Sequence, residues 1–235
     1  MIWPFKRKTL HVANPEATCI EHPVTFVASP YKTATTSVGR ALITMGVHEA
    51  DMLYHGKLLR EYRHLIKAVN TLARGTTSAR DFLDNRGEDV RVLMADFTPH
   101  VQKFDVFSDA PLGHVHIHPF VRKAIAPQGK FIWVHRDEDS WFSSVRRWEE
   151  GHPKTYPRHT LWVDEPERRP TELRRLWARH LGYFEALAQA CPQDCLQIHI
   201  DDLKDYSKLA AFYGVEAPQV ELKRYNVNEA KAQDS

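Results

Sequence analysis

The sequence predicts an α/β fold with a central, mostly parallel sheet and helices on both of its faces. Three observations predict it. The run "VTFVA" at 24–28 is apolar and β-branched throughout, as in a strand covered on both sides. The apolar runs "FIWVH" at 131–135 and "CLQIHI" at 195–200 are each followed by a helical pattern, and β-then-α alternation favours parallel strands. A further run, "FDVFS" at 104–108, completes a set of four expected strands.

The first strand leads into a helix on which Val38, Ala41, Leu42 and Met45 form one apolar face and Gly46 marks the end. A second helix is expected in "KLLREYRHLIKAVN", where Leu58, Tyr62, Leu65, Ile66 and Val69 share a stripe. The stretch from Gly75 to Glu88, rich in Gly, Thr, Ser and Asp, reads as an irregular excursion. A long helix from Thr171 to about Ala190 carries Leu173, Leu176, Trp177, Leu181, Phe184 and Leu187 on one face. Ahead of it, "GHPKTYPRHTLWVDEPERRP" reads as a loop over an active site or partner surface.

At 235 residues, and against a prior of roughly 150 residues per domain, one domain over 1–235 is expected, with its core at about 24–228. A composition of 43% hydrophobic and 26% charged residues is that of a globular protein. The net charge of +2 gives no electrostatic footprint for nucleic acid. No apolar window approaches the roughly 20 residues of a membrane span, and "MIWPFKRKTL" lacks the apolar core of a secretory signal. Three cysteines, Cys19, Cys191 and Cys195, form no disulfide framework, so a cytoplasmic location is expected. Cys191 and Cys195 read as structural rather than zinc-binding, and no metal site is expected.

The segment "SPYKTATTS" stands at a strand-to-helix junction, where ligands of α/β sheets usually bind and a helix start offers N–H groups and a positive dipole end. Lys32 can set an ammonium against an anion, and the hydroxyls of Thr33, Thr35, Thr36 and Ser37 can surround it with donors. The nucleoside-triphosphatase loop needs glycines followed by Lys-Ser/Thr at its end; here the lysine comes first and the loop holds no glycine.

This loop resembles the 5′-phosphosulfate loop of sulfotransferases that use 3′-phosphoadenosine 5′-phosphosulfate and release adenosine 3′,5′-bisphosphate. The resemblance assigns Lys32, Thr33, Ala34, Thr35, Thr36 and Ser37 to the donor, with Ala34 where a glycine often stands. A second segment, "FIWVHRDEDSWFSSVRRW", is similar to the family's 3′-phosphate motif, an Arg ending a strand and a Ser eight residues on. It implies that Arg136 and Ser144, with Ser143 as a close substitute, hold the 3′-phosphate. A guanidinium pairs well with a phosphate in this way. "QIHIDDLKDYSKLAAFYGVEAP" is similar to a late strand, acidic turn and short helix of the same superfamily, whereas the C-terminal R-K-G grip is replaced by "ELKRYN". The resemblance implies a three-layer, P-loop-like sulfotransferase fold. It also implies transfer of a sulfuryl group to a hydroxyl or amine of a small-molecule, carbohydrate or lipid acceptor.

Three sets of residues compete for the general base. Asp109, in "SDAP", takes the place of the catalytic His of the "T-H-x-P" turn in cytosolic sulfotransferases. It would serve if an apolar setting raised its pKa. His114 and His116, with His118, alternate in "GHVHIH" and would share a face if extended. Glu49, with His48 and His55 nearby, matches the position of a Glu that other branches of the superfamily use. Arg146, Arg147, Arg158, Arg168 and Arg169, with Trp148, Tyr156 and Trp162, suggest a basic and aromatic rim for the acceptor. Two other functions fit the same loop: a kinase-like phosphotransferase, and a nucleotide-binding protein without catalysis.

Overall fold

The computed structural model of the chain describes residues 19–151 and 169–223. Among the described residues four strands form one sheet, β1 (Thr25–Val27), β2 (Val106–Phe107), β3 (Lys130–His135) and β4 (Cys195–His199), in the order β2-β1-β3-β4. Every pairing is parallel, with Thr25 opposite both Val106 and Lys130, and Phe131 opposite Cys195. The expected strands are thus present and parallel, with β2 shorter than its apolar run.

Side chains alternate across the sheet because successive strand residues point to opposite faces. Phe26, Phe107, Phe131 and Trp133 enter one apolar cluster, and Val27, Val106, Ile132, Val134 and Ile198 enter the other. Helices α1 (Thr35–Thr44) and α9 (Ser207–Tyr213) cover the second cluster through Val38, Ala41, Leu42 and Leu209. The first is covered by α3 (Arg63–Ala73), α4 (Ala79–Met94), α6 (Pro119–Ile125), α7 (Glu138–Gly151) and α8 (Arg169–Ala190). Helix layers therefore lie on both faces of a parallel sheet.

Two local expectations are corrected. The stretch from Gly75 to Glu88 is not irregular, because α4 begins at Ala79. Ser78 caps it by accepting from Asp81 N–H at 3.2 Å, and Phe82, Val90 and Met94 bury a stripe that outweighs the polar composition. The helix expected over 57–70 is divided at Tyr62 into α2 (Gly56–Glu61) and α3. A short helix α5 (Thr98–Val101) precedes β2.

Parallel strands point one way, so the connections leaving β1, β2 and β3 emerge along one edge of the sheet. They carry Lys32, Asp109 and Arg136 respectively.

Candidate active site

The connection from β1 to α1 turns through two left-handed residues, Lys32 at φ 64° and Ala34 at φ 65°. Backbone turned in this way exposes successive N–H groups as an anion-binding concavity, which the start of α1 extends. Ala34 is the N-cap of α1 and supplies no side-chain cap, so the helix start is left to backbone donors. Thr33 differs from its expected part. Its buried hydroxyl donates to the Pro30 carbonyl at 2.6 Å, with Ser29 Oγ 2.9 Å away, and so braces the turn from inside. Thr35 and Ser37 are buried along the start of the helix and Thr36 is half-buried.

The left-handed conformation disfavours a Cβ by about 1–2 kcal/mol, and glycine escapes that penalty. Ala34→Gly is therefore expected to raise stability by up to about 1 kcal/mol, less the extra chain entropy of glycine in the unfolded state. A urea melt checks this; a loss of stability would mean that the turn is not strained at Ala34.

The second motif touches the first directly. Arg136, just past β3, donates from Nη1 to the Lys32 carbonyl at 2.9 Å and from Nε to Ser140 Oγ at 3.0 Å. Trp141, fully buried on α7, donates its indole N–H to the Tyr31 carbonyl at 2.8 Å. Asp137 caps α7 by accepting from Ser140 N–H. Ser144 lies between Trp141 and Trp148 on the helix face turned to this loop and is buried, whereas Ser143 is exposed. Ser140, which accepts from Arg136 Nε, stands one turn earlier on the same stripe.

The electrostatics call for an anion. Burial lowers the Lys32 pKa, and the charges of Arg136 and Arg147 lower it further. Burial and then Arg147 lower that of Arg136, with Asp137 and Asp201 pulling the other way by less. Lys32, Arg136 and Arg147 thus lie near enough to repel one another, a repulsion that a bound anion would relieve.

Opposite them, the connection after β2 closes a tight turn. Gly113 N–H donates to the Asp109 carbonyl at 2.7 Å, and a Cβ at Gly113 would come within 2.4 Å of the Asp109 nitrogen. Asp109 Oδ1 accepts from Ala110 N–H at 2.6 Å and lies 3.0 Å from His114 Nε2. Burial pushes the Asp109 pKa up, but the hydrogen bond and charge of His114, helped by Ala110 N–H, outweigh it and leave the carboxyl below its ordinary 3.8. The apolar elevation expected for this group is absent.

The histidine run is not extended. His114 adopts φ 53° and the segment is a succession of turns, so the three rings do not share a strand face. Asn70 on α3 pins it, donating to the His116 carbonyl and accepting from His118 N–H, each at 2.8 Å. His118 caps α6 through Nδ1, and burial, with Arg122, pulls its pKa down to about 3. Glu49 is held elsewhere. It is exposed, and its N–H donates to Asp105, which precedes β2 at the far end of that strand from Asp109. His48 is bonded to Thr25 at the same far end, whereas His55 N–H reaches the Ala110 carbonyl at 2.9 Å. Of the base candidates, the structure gathers Asp109, His114 and His116 and leaves Glu49 out.

Tyr31 connects the two sides, edge-on to Trp148 with ring centroids 6.0 Å apart and to His114 at 6.4 Å. Arg146, Arg147 and Trp148 lie on α7. Arg158, Arg168, Tyr156, Trp162 and the side chain of Arg169 lie outside the described residues, as does most of the loop expected over 151–170.

A family model described as "Sulfotransferase domain" matches residues 25–187. The chain belongs to the sulfotransferase family. Its chemistry is therefore sulfuryl transfer in general. Among solved structures, a sulfotransferase from Alicyclobacillus acidocaldarius is similar at 16% identity, covering 88% of this chain and 87% of its own, with a TM-score of 0.43. No curated protein matches. No helix among the described residues of this sulfotransferase is long and apolar enough to cross a membrane.

Ser140 and Arg122 are among the residues that sequence motifs alone did not mark. Ser140 could have been found from its place one helical turn after Arg136. Arg122 could not. It is buried on α6 and donates from Nη1 to the Leu112 carbonyl at 2.8 Å, bracing the Asp109 turn from beneath. Burial lowers its pKa to about 9, and the rings of Phe26 and Phe131, 5.7 Å away, take the place of a counter-ion.

Proposed function

We propose that the chain transfers a sulfuryl group from 3′-phosphoadenosine 5′-phosphosulfate to a hydroxyl or amine of a small acceptor, releasing adenosine 3′,5′-bisphosphate. The observation that carries this is the bond from Arg136 to the Lys32 carbonyl. It joins two separate phosphate motifs into one continuous cationic surface, which suits a donor phosphorylated at both ends of its ribose.

In this reading the turn through Lys32 to Ser37 holds the 5′-phosphosulfate with backbone N–H groups and the hydroxyls of Thr35, Thr36 and Ser37. Arg136, with Ser140 and Ser144, holds the 3′-phosphate. The acceptor oxygen or nitrogen bonds to sulfur as the bond from sulfur to the 5′-phosphate oxygen breaks. Lys32 neutralises the charge that gathers on that departing oxygen. The acceptor proton passes to Asp109, whose side chain is 30% exposed while that of His114 is 8% exposed. His114 orients Asp109 and stabilises its charge. A weakly basic carboxylate suffices because a loose transition state asks little activation of the nucleophile. The rings of Tyr31 and Trp148 offer the acceptor an aromatic wall.

Lys32 imposes a pH dependence. Its ammonium form binds the anion, and its pKa in the free protein lies below the ordinary 10.5. Nucleotide affinity is therefore expected to fall as pH rises through that lowered value, and alkaline binding should take up protons. Calorimetry in two buffers of different ionisation enthalpy reads the uptake; none in wild type, or the same uptake in Lys32→Met, would contradict it.

The reading is tested against its competitors by thermal shift. Adenosine 3′,5′-bisphosphate without metal is expected to raise the melting temperature more than equimolar ATP with magnesium. A larger shift with magnesium ATP would select the phosphotransferase instead. Adenosine bisphosphate binding without sulfation in any acceptor panel would select the non-catalytic binder.

A further inference from the structure

We infer that Asp51 is a positioning residue that fixes Asp109 in its bond with His114. The inference rests on the reading of Asp109 as the proton acceptor. Asp51 lies between α1 and α2, far from Asp109 in sequence, yet its carboxylate grips the residue just ahead of Asp109 by both available donors. Oδ1 accepts from Ser108 N–H at 3.1 Å and Oδ2 from Ser108 Oγ at 2.7 Å. Ser108 itself is fully buried.

Neighbouring elements are fitted to this grip. Helix α1 passes the carboxylate at Gly39, where a Cβ would sit 2.5 Å from Asp51 Oδ2 and 2.8 Å from Ser108 Cβ. No larger residue leaves the carboxylate where it is. The Asp51 backbone bridges in parallel with Val106, and Met52 N–H donates to the Val106 carbonyl at 2.8 Å, which fixes the segment along β2. Four residues further on, His55 N–H takes the Ala110 carbonyl. Both sides of Asp109, at Ser108 and at Ala110, are therefore tied to the segment 51–55. Through Gly39, the helix that begins in the loop carrying Lys32 packs directly against this grip. Burial raises the Asp51 pKa and the negative charge of Asp109 adds to it, against the opposing effects of Ser108 and Arg40. The two carboxylates are thus near enough to feel each other.

A positioning role differs from a merely structural one in what happens to the Asp109–His114 bond. An imidazole N–H held by a carboxylate gives a downfield proton resonance, here expected in wild type and absent from Asp109→Asn. Asp51→Asn removes the charged grip. Gly39→Ala keeps the charge and displaces the carboxylate. Each is expected to shift this resonance upfield or broaden it away while affinity for adenosine 3′,5′-bisphosphate is retained. Ser108→Ala, which removes only the hydroxyl, is the milder variant should either fail to fold, and is expected to shift the resonance part of the way. A resonance unmoved in the folded variants, or no Asp109-dependent resonance in wild type, would overturn the inference. Failure of wild type to bind the bisphosphate would instead remove the donor reading, and the resonance would still report whether Asp51 holds Asp109.

Discussion

Arg136→Ala is expected to weaken adenosine 3′,5′-bisphosphate binding by about a hundredfold or more. A hydrogen bond to a charged group contributes about 1.5–3 kcal/mol, and a guanidinium can make two to one phosphate. Even the lower figure taken twice gives roughly 3 kcal/mol, or about two decades in Kd. Loss of the bond to the Lys32 carbonyl would add to this by loosening the turn that holds the other phosphate. Arg136→Lys should recover little, since an ammonium cannot reach a phosphate, Ser140 and the Lys32 carbonyl in one plane. Equilibrium titration of the two variants checks this, with the melting temperature confirming that each is folded. Unchanged affinity in Arg136→Ala would place the nucleotide elsewhere.

Asp109→Asn is expected to lower the transfer rate by about 10²–10⁴-fold, the usual contribution of a general base, with nucleotide affinity nearly unchanged. An acceptor panel with labelled donor reads the rate. Its pH dependence separates Asp109 from the histidines beside it. A carboxyl whose folded pKa lies below 3.8 is ionised throughout the neutral range, so the acid limb of wild-type activity should lie below that value. A histidine acting as the base would bring the limb to about 6.5. The same depression means that Asp109 contributes stability at neutral pH, lost as pH falls from 3.8 through the lowered value. Substitution by Asn therefore carries some stability loss, to be read separately from the rate.

Much of the fold was legible because it rests on local periodicity. The runs at 24–28, 131–135 and 195–200 contain β1, most of β3 and all of β4. Where composition and capping disagreed, at Gly75 to Glu88, the cap won: Ser78 and Asp81 start a helix that polar residues suit on its outer face. The turn between β1 and α1 was legible as a pattern, but not its strain. That Ala34 sits left-handed, in the conformation a glycine would prefer, emerges only from the backbone.

The surroundings of Asp109 were less legible because they depend on contacts distant in sequence. The alternation of His114, His116 and His118 promised a shared face, yet Gly113 and the left-handed His114 turn the chain before a strand can form. Glu49 and Asp51 are two residues apart and look equivalent in the sequence. Pairing along β2 sends one to Asp105 and the other to Ser108, at opposite ends of the strand. Ser140, which bonds Arg136, was missed for a simpler reason: it stands one helical turn ahead of the serine that the motif names.

The central claim is that the surface formed by Lys32, the start of α1 and Arg136 binds a nucleotide with phosphates on both its 3′ and 5′ positions. Isothermal titration of the wild-type chain with adenosine 3′,5′-bisphosphate, free of metal, tests it most directly. Saturable binding of one nucleotide per chain, weakened when either phosphate is removed from the ligand, is the predicted result. No binding to a folded sample, or equal binding of adenosine 5′-monophosphate, would contradict it.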